Sequence, residues 1–218
     1  MAKAPEALVH RVFDIRPSKG DQRRIQIIES AIHCLATLGI ADASLEVIGK
    51  RLGIKSAHII YYFKDRETLL DAAFKYVAGV GTEMFIARVT AGNSPVERLR
   101  GYVDAIFDWI EFYPEHIRVM VLLHYQSTYD PKLREIQTQL RLAGLKRIQA
   151  IVEPLTQARG KHGNPEELAH LIYCALTGYY VEFLGVRSGK SLADWRAEAM
   201  RSILAIVGVG GVRGRARP

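Results

Sequence analysis

Residues 44–70 read SLEVIGKRLGIKSAHIIYYFKDRETLL, and this stretch decides the fold. Leu45, Ile48 and Leu52 recur at helical spacing, and Gly53 follows at once, the residue that enters a left-handed helix end without steric cost. A helix therefore stops at Gly53. Lys55 to Phe63 forms a second segment of about two turns, with Ile59 and Phe63 facing inward and Lys55, Ser56, His58, Tyr61 and Tyr62 beside them. Asp65 then caps the start of a third, longer helix. Two helices joined by a turn of about three residues form a helix-turn-helix, whose second helix lies in the major groove of DNA.

From Gln22 to Val77 the chain resembles the tetracycline-repressor (TetR) family of bacterial transcription regulators. An amphipathic helix is followed by Gly39, the Leu45-to-Leu52 helix, Gly53-Ile54, an aromatic pair before Phe63 and a charged helix start. The family pattern in the second helix runs roughly Gly-Val-Ser-x-Gly-x-Leu-Tyr-x-His-Phe. In this chain Lys55 stands for the serine, Ala57 for the glycine, Ile60 for the first tyrosine and Tyr62 for the histidine, while Tyr61 and Phe63 fit. Arg66 stands where the family has a phosphate-binding lysine. Ile60 cannot donate a hydrogen bond as tyrosine would.

The expected DNA-contacting set is Ser44, Lys55, Ser56, His58, Tyr61, Tyr62, Lys64 and Arg66. Lys55, Ser56 and His58 open the recognition helix, the part that reaches base edges, whereas Tyr61 and Arg66 are expected at phosphates. Charge agrees. The chain has 30 Lys and Arg against 23 Asp and Glu, a net +7. Residues 1–66 carry 11 basic and 7 acidic side chains, 67–207 carry 16 of each, and 208–218 carry 3 and none. The excess sits at the two ends, where a DNA-binding head needs it to neutralise phosphates.

The rest of the chain reads as helices. Residues 1–18 contain Pro5 and Pro17 and read as a flexible basic arm, 19–66 as the helix-turn-helix domain, 67–207 as a helical body and 208–218 as a flexible basic tail. The fold class is all-α, about nine helices: a three-helix head plus a bundle for ligand binding and dimerisation, the latter two roles implied by the resemblance. Ser94-Pro95-Val96-Glu97, Asn164-Pro165 and Ser191-Leu192-Ala193-Asp194 are helix starts. Pro154 should kink or end the long helix begun at Asp130-Pro131. Helix 1 should bury Ile25, Ile28, Ile32, Leu35 and Leu38 on one face, and helix 8 Leu168, Leu171, Ile172, Ala175, Tyr179 and Phe183. Cys34 and Cys174, in apolar helical context and outside any CxxC, read as reduced core residues. No stretch approaches the roughly 18 apolar residues of a membrane span, so the expected location is cytoplasmic.

Helix 9 carries two apolar stripes, Trp195, Ala199, Ile203 and Ile206 beside Met200, Leu204 and Val207, more than a monomer surface exposes. The resemblance implies a homodimer through helices 8 and 9 as a four-helix bundle. Amphipathic aromatics are frequent in the body. Trp109, Tyr113, His124, Tyr125 and Tyr179 are the expected lining of an effector pocket, with no net charge in residues 67–207 to favour a strongly ionic ligand. No catalytic residue is expected. His116, His124 and His170 lack the spacing that puts two metal ligands on one helix face, and no nucleophile elbow or phosphate loop occurs, so neither metal nor cofactor is anticipated. The reading is a DNA-binding regulator, a repressor released from a palindromic operator by a small apolar effector. A small all-α enzyme or cofactor carrier, and an architectural DNA-binding protein, remain the alternatives.

Overall fold

The structure, a computed structural model, describes residues 18–157, 163–186 and 188–209. Residues 1–17 of the expected arm, and the expected tail beyond Val209, lie outside the described residues, while Ser18 belongs to the start of α1. Among the described residues there are nine helices and no strand: α1 (Lys19–Asp42), α2 (Leu45–Leu52), α3 (Ser56–Phe63), α4 (Arg66–Thr90), α5 (Pro95–Phe112), α6 (Pro114–Gln126), α7 (Pro131–Gln157), α8 (Pro165–Gly185) and α9 (Leu192–Ile206).

The starts follow from capping chemistry. Ser18 Oγ accepts from the Asp21 amide at 3.2 Å, Ser44 Oγ from Val47, Asn164 Oδ1 from Glu166, and Ser191 Oγ from Asp194. Each satisfies one of the amides a helix leaves unpaired at its first turn. Gly39 inside α1 adopts φ 82°, which kinks the helix. Ile25, Ile28, Ile32 and Leu35 are buried before that kink, whereas Leu38 beside it is 48% exposed, contrary to the expected single face. α7 continues through Pro154 to Gln157. α1 has the length and mean hydropathy of a membrane span, yet Ile25, Ile27, Ile28, Ile32 and Leu35 pack inside the protein, and Gln22, Gln26 and Glu29 are exposed.

The chain divides into two compact units. The first comprises the described part of Met1–Met84 with Trp109–Gln137, and the second Phe85–Asp108 with the described part of Thr138–Pro218. The division falls within α4, α5 and α7, and within the first unit α1 packs on α6. The first core holds Ile27, Ile48, Ile59, Phe63, Leu69, Phe74, Val77, Ile117 and Leu123. Gly81 is required there: a Cβ would meet the Trp109 ring at 2.5 Å.

The second core holds Leu99, Phe107, Ile148, Ile172, Leu176, Ala199 and Ile203, with α8 and α9 paired. α4 and α5 approach closely at Gly101, where a Cβ would lie 2.5 Å from the Arg88 carbonyl oxygen. Three expectations change. Trp195, Ala199, Ile203 and Leu204 are buried within their own chain, so these residues of α9 are monomer core. On α8 the buried line runs through Ala169, Ile172 and Leu176, which turns Leu171 outward to 53% exposure. Cys174 is exposed on that same outer face, while Cys34 is buried as expected.

Candidate nucleic-acid interface

The head is held together by contacts that consume several of its polar groups. Ser30 Oγ donates to the Ile48 carbonyl at 3.1 Å and ties α1 to α2. Arg24 donates to the Tyr62 carbonyl at 2.7 Å and lies 4.6 Å from the Phe63 ring centroid, which ties α1 to α3. The turn closes at Gly53, φ 66°, and the Ile54 amide donates back to Gly49 O at 3.0 Å. α3 is thereby fixed with Ile59 and Phe63 inward, as its spacing predicts.

Its outer face is what remains. Lys55 is the N-cap residue of α3 and is exposed, Ser56 is half-buried, and His58 is exposed with its ring stacked on Tyr62. Tyr61 is 82% exposed and edge-on to Tyr62. Lys64 ends the helix at φ 63°, the one described non-glycine residue with positive φ. That conformation is strained for a side chain bearing Cβ, and it holds an exposed lysine immediately beyond the recognition helix. Ser44 is spent as the acceptor cap of α2 and keeps its hydroxyl proton for another partner.

Arg66 departs from the expected role. Its Nε donates to the Ala43 carbonyl at 2.9 Å and its Nη2 to the Ile40 carbonyl, so the guanidinium caps the turn between α1 and α2. Charged hydrogen bonds of this kind are worth about 1.5–3 kcal/mol. Arg66→Met is therefore expected to lower the unfolding free energy by about that amount and to leave the salt dependence of DNA binding unchanged. Denaturant melts and salt titrations check this; a shallower salt slope at unchanged stability would return Arg66 to the phosphates.

Four of the five expected effector residues fall in the first unit and Tyr179 in the second. Tyr179 Oη shares a 2.8 Å hydrogen bond with Ser202 Oγ, and its ring meets Trp195 edge-on. Tyr125 is 59% exposed and packs on the equally open Tyr129, so it stands on the surface and not in an enclosed lining. His124 Nδ1 faces the Met120 carbonyl at 2.9 Å and so carries the proton; Nε2 then accepts from the Gln137 amide nitrogen at 2.8 Å. This directs Gln137 Oε1 elsewhere, buried and without a hydrogen-bond partner.

The junction of α5 and α6 gathers more such atoms. The Tyr113 and His116 rings stack with centroids 4.9 Å apart, and Tyr76 meets His116 edge-on at 6.2 Å. Tyr113 Oη and His116 Nδ1 are both buried without a partner. Burial pushes His116 down to about 4, so the ring is neutral at pH 7. It likewise pushes the Tyr76 hydroxyl up, with Glu29 adding to the shift. Next to this cluster, Glu115 pairs with His33 of α1 at 2.7 Å. Tyr113 belongs to the pocket lining expected from the sequence, whereas Tyr76 carries no local signal and the spacing around His116 speaks only against a metal ligand. Among the described residues no group of His, Cys, Asp and Glu gathers as metal ligands.

A helix-turn-helix head continuing into an all-helical body defines the class of protein. Residues 27–73 match the family described as bacterial regulatory proteins, tetR family. Over 124 residues the chain is 32% identical to the HTH-type transcriptional regulator BetI of Stenotrophomonas maltophilia (strain R551-3), covering 56% of this chain and 63% of that one. With BetI of Pectobacterium atrosepticum identity is 29% over 118 residues, covering 53% and 60%. The chain thus spans somewhat under two thirds of the curated relatives it matches. A TetR-family regulator from Rhodococcus sp. superposes with a TM-score of 0.74 at 22% identity, over 85% of this chain and 99% of that one. A transcriptional regulator from Saccharomonospora viridis, solved in complex with choline, gives 0.76 at 20% identity over 84% and 96%. Residues 27–73 are thus similar to the tetR family of bacterial regulatory proteins, and over most of the chain the fold is that of the solved regulators.

Proposed function

We propose that this protein is a cytoplasmic transcriptional regulator, a repressor that binds a twofold DNA operator as a homodimer and leaves it when a small effector binds. The observation that carries the reading is the outer face of α3, with Tyr61 open to solvent and Lys55 and Lys64 exposed at its two ends, on a head that matches the family pattern. Lys64 neutralises a phosphate beyond the helix end, Lys55 opens the end that reaches base edges, and an eight-residue helix fits the major groove. Residues 19–66 serve as the DNA-binding head and 67–207 as the effector-binding and dimerisation part. Two heads of a dimer reach successive major grooves about 34 Å apart.

The effector reading rests on the buried, unpartnered polar atoms of Tyr113, His116 and Gln137. A buried polar group without a partner costs about 1–3 kcal/mol, which a ligand hydrogen bond recovers. Aromatic surroundings and a neutral His116 suit a largely apolar molecule carrying a hydroxyl or carbonyl. Choline, held by the S. viridis neighbour, is the first probe. An effector that binds one arrangement of the dimer better than another lowers DNA affinity by that difference in free energy.

The test is selection of duplexes from a randomised pool, followed by isotherms at several salt concentrations. An enriched inverted repeat is expected; Lys64→Ala should flatten the salt slope by about one unit per head, whereas Lys55→Ala should cost about 1–3 kcal/mol on the selected duplex and little on random DNA. A pool that yields no enriched sequence would sink the reading. Choline and uncharged alcohols are then screened for a raised melting temperature and for release of the selected duplex.

A further inference from the structure

α3 carries an apolar feature that phosphate neutralisation does not use. Ala57, Ile60, Tyr61 and Lys64 fall at i, i+3, i+4 and i+7 and share one side of the helix, away from the buried Ile59 and Phe63. Ile60 is 46% exposed, and Ala57 beside it is also exposed. The helix contains no carboxylate, and exposed lysines stand at both its ends with Lys50 and Arg51 exposed on α2, so the charge around this apolar spot complements a polyanion. A β-branched residue is a modest helix former, and isoleucine exposed to water gains nothing from solvation.

In the major groove one base feature is apolar. Guanine, cytosine and adenine offer acceptors and donors, while thymine adds its C5-methyl group. Ile60 has no donor or acceptor and so cannot read the polar edges. Its χ1 is held to one rotamer in a helix, so little entropy is lost when the side chain is fixed against a methyl group.

We propose that Ile60, with the Ala57 methyl alongside, reads the C5-methyl of a thymine in each operator half-site. The inference rests on the DNA-binding reading above and specifies its chemistry. Recognition at that base pair is by apolar contact, where a tyrosine in place of Ile60 would present a hydroxyl.

The test uses the full-length protein and a duplex selected from the randomised pool. Each thymine is replaced singly by deoxyuridine, which removes the methyl group and keeps the pairing and the O4 acceptor. One thymine per half-site should show weakening of about three- to tenfold, the scale of one buried methyl group. In Ile60→Ser that preference should vanish at the same position, while preferences elsewhere persist; Ile60→Val should keep most of it. Because Ile60 is exposed, these variants are expected to melt like the native protein. Uniform affinity for all deoxyuridine duplexes, or a preference unchanged in Ile60→Ser, overturns the proposal while the selected duplex still binds. Failure of the pool to yield any duplex overturns the DNA reading and this proposal with it.

Discussion

Gly178→Leu is expected to convert a dimer into a monomer at micromolar concentration without lowering the stability of the monomer. Gly178 lies inside α8, where glycine costs roughly 1 kcal/mol relative to alanine. Within the chain nothing demands it: a Cβ there would have no neighbour within 4 Å, and φ is not in the left-handed region. Leu171, Cys174, Val181 and Gly185 share its side of the helix, and all are exposed. A glycine on an exposed apolar face is accounted for by close approach of a second backbone, and another copy of α8, in the homodimer proposed above, is the candidate. Leucine at the crossing would hold the helices apart, whereas in the monomer it improves helix propensity. Charge at Ile203 or Leu204 does not test the interface, because both are buried in the monomer and the substitution would unfold it. Sedimentation of the native protein and of Gly178→Leu, with urea melts of each, separates the cases. A native monomer, or a variant that dimerises as tightly, would remove α8 from the interface.

The helix starts were legible because capping is local. Ser94-Pro95, Asn164-Pro165 and Ser191 announce themselves within four residues, and the Gly53 turn does the same for the end of α2. Ile59 and Phe63 were legible for a related reason, since a two-turn helix has only one face to bury. What failed depended on distant partners. Arg66 resembles a phosphate-binding cation in sequence, yet it caps carbonyls 23 and 26 residues upstream. The stripe on α9 reads as apolar, but periodicity cannot say whether α8 or a second chain covers it. Tyr125 and Tyr113 look alike in composition; one is 59% exposed and the other places a buried hydroxyl beside His116. Ile60 is visible as a departure from the family pattern, but the sequence does not give the 46% exposure of its side chain on which the proposed thymine contact rests.

The double variant Arg88→Met, Arg196→Met is expected to cost about 3–5 kcal/mol, the usual scale when a buried charge loses its partners. Asp108 is 4% exposed. Its Oδ2 accepts from Arg88 Nε at 2.7 Å, with a second contact from Arg88 Nη2, and its Oδ1 accepts from Arg196 Nη2 at 2.7 Å. One carboxylate thus joins α4, α5 and α9 across separations of 20 and 88 residues, which no local pattern could disclose. Burial pushes the neighbouring Asp104 carboxyl up, and Arg196 at 3.9 Å works against that shift. With both arginines replaced, Asp108 must stay charged without a cation, take up a proton or draw in water. Each route costs stability, and the melting temperature should fall by roughly 10 °C for a chain of this size. Arg88 is half exposed, so Arg88→Met alone should cost less than Arg196→Met, which also deprives Asp104. Adding Asp108→Leu to the double variant should recover most of the loss, because an apolar trio of similar volume carries no desolvated charge. A double variant within 1 kcal/mol of the native protein would mean that water reaches Asp108 and that the arginines do not pin α4 and α9 to α5.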